Sequence, residues 1–156
     1  MIPGLAILFA AILAWPAVAQ ETVATPLPGK PVEEILAPLE AKATNLESFL
    51  WTRRPVVVFA DTPADPRFQQ QMELLRARPE GLIERDIVVI VDTEPEARSA
   101  IRAALRPRGF MLVLIAKDGT VNQRKPFPWN AREIERVIDK WPLRQQEIRE
   151  RIGGGG

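Results

Sequence analysis

Three short apolar runs stand out along the chain, and the first two are rich in β-branched residues. They cover residues 55–60, 86–92 and 110–116, and nearly every position within each run is apolar. Continuous apolar runs of this length are typical of strands that are buried on both faces. The pattern therefore predicts a central sheet that is covered by other elements on both sides.

Segments with helical spacing separate and follow these strands. Asp65 can cap a helix that has proline at its first position, and Thr93 with Glu96 has capping-box spacing. The predicted helices cover residues 66–78, a segment that begins after Thr93, residues 131–141 and residues 144–152, and two short helical pieces are expected within residues 32–50.

The order of the elements predicts the fold class. Asp118 followed by Gly119 is a strong hairpin signal, and it leads from the third strand into a short fourth strand at Val121. The prediction is an α/β, thioredoxin-like domain with a mixed four-stranded sheet and helices on both faces. Two parallel βαβ steps would be followed by a ββα unit. A flavodoxin-like sheet is the alternative.

The N-terminal segment has the character of a secretory signal peptide. Residues 1–19 carry no charged side chain, and small residues precede a cleavage site after Ala19. We expect a periplasmic or secreted protein, with an uncleaved membrane anchor as the alternative. Residues 20–45 would be a proline-containing tether with a helical lead-in, residues 46–152 the domain, and residues 153–156 a flexible glycine tail.

The composition of the chain excludes several classes of chemistry. The 156 residues include no cysteine and no histidine, and the formal net charge is +1. Without cysteine the chain has no thiol for disulfide exchange or peroxide reduction, and without either residue it lacks the usual transition-metal ligands. A nearly neutral chain also provides no field to attract nucleic acid. No cofactor is expected.

The loop at residues 61–67 is the candidate site with the most distinctive chemistry. It follows the first strand, and ligands of parallel α/β sheets bind beyond the carboxyl ends of the strands. Asp61, Asp65 and Arg67 could form a site for an anion or an acidic peptide beside a helix N-terminus. In the simpler interpretation, Asp65 only caps the helix and Arg67 pairs with an acid such as Asp61.

Other candidate groups carry their own alternatives. Asp61, Asp65 and Asp92 could converge on a divalent ion and support a hydrolase, but no calcium-binding loop pattern is present. Lys117, beside the hairpin, is expected to be solvated. The last helix includes Arg144, a further candidate ligand-binding residue, and this helix is expected to dock on its own domain.

The segment pattern resembles thioredoxin, with two differences. Residues 61–67 stand where the redox thiols would lie, and Met111 stands where thioredoxin has a cis-proline. More specifically, residues 46–149 resemble a mostly bacterial family, domain of unknown function 4174, with relatives among repeats in vertebrate extracellular-matrix proteins. The motifs are Trp51, Arg54-Pro55, Phe59-Ala60, Asp65-Pro66-Arg67, Gln70, Glu84-Arg85-Asp86, Gly109-Phe110, Lys117-Asp118-Gly119, Ile138-Asp139 and Pro142 through Glu147.

This resemblance implies a thioredoxin-like fold and an exported location, without an established activity. The family more often has two adjacent arginines where this chain has Arg144-Gln145. The function hypothesis is a non-redox binding module of the bacterial envelope, whose partner would be an envelope protein or a small anionic ligand. The alternatives are a hydrolase that uses Asp61 or Asp65 and a structural or adhesive envelope component.

Overall fold

The computed structural model describes residues 36–154, so the predicted signal peptide and the last two glycines lie outside the described residues. Within these described residues, five strands and five α-helices form the domain. The strands are β1 Leu39–Glu40, β2 Arg54–Phe59, β3 Ile87–Asp92, β4 Met111–Ile115 and β5 Val121–Lys125, and the helices are α1 Pro66–Arg76, α2 Pro79–Ile83, α3 Ala100–Leu105, α4 Ala131–Ile138 and α5 Pro142–Gly153.

The strands form one mixed sheet in the order β1-β3-β2-β4-β5. Strand β3 is parallel to both β1 and β2, which confirms the first predicted βαβ step. Strand β4 is antiparallel to β2, with Phe59 opposite Met111, so the second predicted parallel step is wrong. The connection between β3 and β4 contains only one short helix, α3, of six residues with a rise of about 9 Å, and the chain does not return to the start of β3 before β4 begins.

The sheet also has one strand more than predicted. Leu39 and Glu40, within the predicted lead-in, pair with Ile90 and Val91 of β3. The two helical pieces that follow are short 3-10 turns at Ala41–Ala43 and Leu46–Phe49. The lead-in therefore extends the sheet at one edge before the chain enters β2.

Alternating side chains of the central strands enter two separate cores. Val56 and Val58 point to the face that α1, α2 and α4 cover, whereas Val57 and Phe59 point to the face that α3 and the lead-in cover. This two-sided coverage explains the continuous apolar runs in the sequence. None of the helices within residues 36–154 is both long enough and apolar enough to span a bilayer.

Capping side chains mark the N-terminal ends of α1, α3 and α4. Asp65 caps α1 and Asn130 caps α4, as predicted. The capping box at Thr93 does not form, because Pro95 begins a 3-10 turn and the side chain of Ser99 caps α3 instead. At the hairpin, Gly119 has φ of 86°, a conformation that glycine adopts without strain.

Candidate functional site

Asp65 and Arg67 form an ion pair where the loop after β2 enters α1. Asp65 Oδ1 accepts a hydrogen bond from the backbone nitrogen of Arg67 at 2.8 Å, and Asp65 Oδ2 lies 2.9 Å from Arg67 Nη2. The hydrogen bond from the Arg67 side chain holds the pKa of Asp65 below its usual value. The capping interpretation is therefore confirmed, except that Arg67 pairs with Asp65 itself and not with Asp61.

The rest of this loop offers few free groups to a ligand. The Arg67 guanidinium lies 5.6 Å from the centre of the Phe110 ring, which orients it across the loop. Asp61 is exposed, and one of its carboxylate oxygens approaches Gly109. An anion would have to displace Asp65 from both Arg67 and the helix N-terminus before it could bind.

Asp92 does not join Asp61 and Asp65. Its buried carboxylate accepts hydrogen bonds from Ser99 Oγ at 2.6 Å and from Arg102 Nη2 at 2.7 Å. The same guanidinium also donates to the carbonyl of Ala60, so it joins the ends of β2 and β3. No group of three or more candidate metal ligands lies within residues 36–154.

Arg144 lies at the opposite end of the sheet from this loop, in what we call the amino-end ionic cluster. Its side chain is 1% exposed and contacts Glu84 at 3.1 Å, Asp139 at 3.4 Å and Glu147 at 3.5 Å. The cluster consists of four cations and four acids, namely Arg54, Arg85, Lys117, Arg144, Glu84, Asp86, Asp139 and Glu147, and exposed Arg151 lies 3.8 Å from Glu84 at its margin. Arg144 therefore has no common site with Asp61, Asp65 and Arg67.

Within this cluster, Glu147 contacts Arg54, which is the first residue of β2. Its Oε1 accepts from Arg54 Nη2 at 2.8 Å and lies 2.9 Å from Lys117 Nζ. Lys117 also binds Asp86 and is only 12% exposed, so the prediction that it is solvated is wrong. Its position beside a tight turn suggested exposure to solvent. In the structure, α5 folds back over the same end of the sheet and places Glu147 beside Lys117.

The cluster lowers the pKa values of two of its acids, Asp139 and Glu147. Burial pushes the pKa of Asp139 upward, but hydrogen bonds from Arg85 and Arg144 outweigh burial and hold the pKa below 3.8. Glu147 behaves in the same way, because hydrogen bonds from Arg54 and Lys117 lower its pKa below 4.5 despite burial. Both acids are therefore carboxylates near neutral pH.

An apolar cavity of about 400 Å³ lies elsewhere in the domain, beside α1. Met72 and Leu75 of α1, Val89 of β3 and Leu36 of the lead-in line its wall, with Arg76 at its margin. Sequence reasoning missed this cavity, because Met72 and Leu75 show only the ordinary spacing of an inward helix face.

All four cations and all four acids of the ionic cluster lie between Arg54 and Glu147, within the part of the chain that a family model matches. A family model described as a domain of unknown function (DUF4174) matches residues 45–147. The chain belongs to this family. Arg54, Lys117 and Glu147, which all lie within the matched residues, converge in the cluster although they come from distant segments.

Solved structures support the fold of the DUF4174 domain. The reduced 2-Cys peroxiredoxin of Plasmodium vivax has a TM-score of 0.52 and 14% identity, over 67% of this chain and 85% of that chain. Plasmodium yoelii Prx1a, modified at its N-terminus, has a TM-score of 0.50 and 16% identity, over 67% and 80%. At such identities the likeness shows the thioredoxin-like fold alone.

The DUF4174 domain of this chain keeps that fold without the sulfur chemistry. The full sequence contains no cysteine, so the peroxide-reducing thiol of a peroxiredoxin has no counterpart. The described residues contain no cis peptide bond, and β4 begins at Met111. In the loop where the resemblance to thioredoxin placed the redox pair, the structure has the Asp65–Arg67 ion pair.

Proposed function

We propose that this DUF4174 domain is an exported binding module, and that its ligand enters the apolar cavity beside α1. The observation that carries the proposal is the cavity itself. Its volume of about 400 Å³ and its apolar wall match the usual character of small-molecule sites.

The margin of the cavity favours an anionic end on the ligand. Arg76 at this margin is exposed and forms no ion pair with any residue in the described part of the chain. Glu80 lies at the margin as well and would disfavour a second negative charge. An amphipathic molecule with an apolar body and a single carboxylate fits both features.

The alternative of a carboxylate-assisted hydrolase has less support. Asp65 is held by the α1 backbone and by Arg67, and Asp92 is held by Ser99 and Arg102. Either of these two carboxylates would have to give up its bonds before it could accept a proton from water as a general base. Binding at the cavity requires no such rearrangement.

Methyl NMR of methionine tests the proposal directly. Met72 lines the cavity, whereas Met111 lies at the start of β4 and provides an internal reference. With octanoate as the probe, we expect a saturable shift of the Met72 methyl signal and no shift of the Met111 signal. Octanol, which has the same chain length without charge, should bind several-fold more weakly.

Two variants and one control variant test where the ligand binds and which residue selects its carboxylate. Ala37→Trp places a large side chain at the exposed lining of the cavity and should abolish the Met72 shift. Arg76→Gln should remove the preference for octanoate over octanol, whereas Arg53→Gln, which changes another exposed arginine, should retain it. A shift of both methionines, or binding that Ala37→Trp leaves unchanged, would contradict the proposal.

Export is the second part of the proposal, and it depends on the charge-free segment at residues 1–19. Mass spectrometry of the protein expressed with its own N-terminus in a bacterium should find a chain that begins at Gln20 in the extracytoplasmic fraction. An intact chain in the cytoplasm would contradict export but would leave the cavity proposal in place.

A further inference from the structure

Strand β5 forms one edge of the sheet. It pairs with β4 on one side, and within residues 36–154 no strand pairs with its other side. The outward backbone groups of Val121–Lys125 can therefore accept a further strand. An open edge of this kind is either protected against pairing or used for it.

The charges along this edge all have one sign. Residues 119–132 include three cations, Arg124, Lys125 and Arg132, and no acid. Arg124 lies opposite Val113, which belongs to the core under α3, whereas Lys125 lies opposite Leu112, which belongs to the core under α4. The positive charges therefore flank the edge on both faces of the sheet.

None of these cations is neutralised by a described residue. Arg124 Nη1 donates to the backbone carbonyl of Leu105, and Lys125 Nζ lies 4.7 Å from the centre of the Trp129 ring. Neither contact supplies a negative charge. A partner that carries carboxylates on both faces of an added strand would complement this edge.

The loop after β5 presents an aromatic side chain beside the edge. Phe127 is 52% exposed and stands between two prolines. Buried Gln71 holds the next turn of this loop, because its side chain accepts from the backbone nitrogen of Trp129 at 2.7 Å and donates to the carbonyl of the same residue at 3.0 Å. A rigidly held, exposed aromatic ring costs little entropy when a partner covers it.

We propose that the β5 edge, with Phe127 at its end, binds an extended acidic segment of a partner protein as an added sixth strand. Backbone hydrogen bonds would give the strand its register, and Arg124 and Lys125 would select for carboxylates. This surface is separate from the cavity beside α1, and the proposal does not depend on ligand binding there.

Two other occupants fit the edge less well. A second copy that pairs antiparallel about Gln123 would bring four cations onto two neighbouring strands, which is unfavourable. A nucleic acid would use the charge but not the open backbone edge, and the chain has a formal net charge of only +1.

Fluorescence anisotropy with the full chain tests the proposal. The probe is a blocked, labelled peptide of sequence Val-Glu-Glu-Val-Glu-Val. We expect saturable binding that weakens as salt is raised, and at least tenfold weaker binding of two matched peptides. One has glutamine in place of each glutamate, and the other has N-methylated amides at four consecutive residues, which removes backbone donors from both edges of the extended peptide.

Variants locate the binding surface. Lys125→Gln and Phe127→Ser should each weaken binding by several-fold, whereas Arg149→Gln, an equal charge change at an exposed position of α5, should not. Equal binding of the N-methylated peptide, tighter binding of oligothymidylate, or a dimer that the Lys125→Gln change disrupts would each overturn the proposal. No binding at about 1 mM peptide would overturn it as well.

Discussion

Arg144 shows how one side chain joins segments that are distant in sequence. Its guanidinium contacts acids from the turn before β3, from the end of α4 and from its own helix. A fully buried guanidinium is stable only when hydrogen-bonded acids compensate its lost hydration. The residue therefore holds α5 to the amino end of the sheet.

Replacement of this residue by an apolar one should be costly. In Arg144→Met, Asp139 and Glu147 lose a cationic partner, and we expect the free energy of unfolding to fall by about 3 kcal/mol, at the lower end for broken buried pairs because the acids are partly exposed. Urea unfolding monitored by circular dichroism measures the loss. Arg149→Met, at an exposed position of the same helix, should change stability by about 0.5 kcal/mol or less.

Individual residues were also where sequence reasoning was least successful. Asp65 was identified as a cap correctly, since a cap is a contact between near neighbours. Lys117 was expected in solvent, yet it lies between Asp86 and Glu147, which are 31 and 30 positions away. Nothing in the local pattern around Lys117 reports on partners at that separation.

At the scale of elements, the packing of α1 depends on a buried amide. Gln71 is completely buried on this helix and binds both backbone groups of Trp129, so α1 is connected to the loop between β5 and α4. The helical spacing of Phe68, Met72 and Leu75 is typical of an inward face, and Met72 and Leu75 are buried while Phe68 is partly buried. The periodicity gave no sign that a polar residue beside Met72 would be buried as well.

Loss of this connection should loosen the loop. In Gln71→Leu the backbone nitrogen and carbonyl of Trp129 lose their partners, and we expect a loss of about 2 kcal/mol in the free energy of unfolding. Amide hydrogen exchange at Phe127 and Trp129 should accelerate as well. Gln70→Leu, at an exposed position of the same helix, is the control, and equal effects of the two changes would contradict this role of Gln71.

Element boundaries were predictable where a capping residue acts alone. The start of α1 at Pro66 agrees with the sequence, whereas α3 starts at Ala100, later than Thr93 suggested. Ser99, the true cap, is oriented by a hydrogen bond to Asp92. Asp92 is the last residue of β3, so the side chain that orients Ser99 belongs to the sheet, and the spacing of Thr93 and Glu96 gave no indication of it.

At the scale of the whole molecule, the ionic cluster makes stability depend on pH. The pKa values of Asp139 and Glu147 are lower in the folded protein than their ordinary values of 3.8 and 4.5. Below those ordinary values the unfolded chain binds protons that the folded protein still excludes. The contribution of the cluster is therefore complete at neutral pH and declines as the pH falls below about 4.5.

Urea unfolding at a series of pH values checks this dependence. We expect the free energy of unfolding to decrease between about pH 4.5 and pH 3. Glu147→Gln should have lower stability at neutral pH and a shallower decrease with acid, because one of the two shifted groups is absent. Glu73→Gln, on the exposed face of α1, is the control, and an unchanged slope in Glu147→Gln would contradict the assignment.

The positions of β2 to β5, the starts of the helices that Asp65 and Asn130 cap, and the absence of thiol chemistry were predictable from the amino-acid sequence. These properties follow from residue types and from contacts between near neighbours. The direction of β4, the extra strand β1, the partners of Lys117 and Arg144, the cavity beside α1 and the open edge at β5 became apparent only in the folded domain. These features depend on distances between segments that the sheet brings together, and hydrophobic periodicity contains no information on such distances.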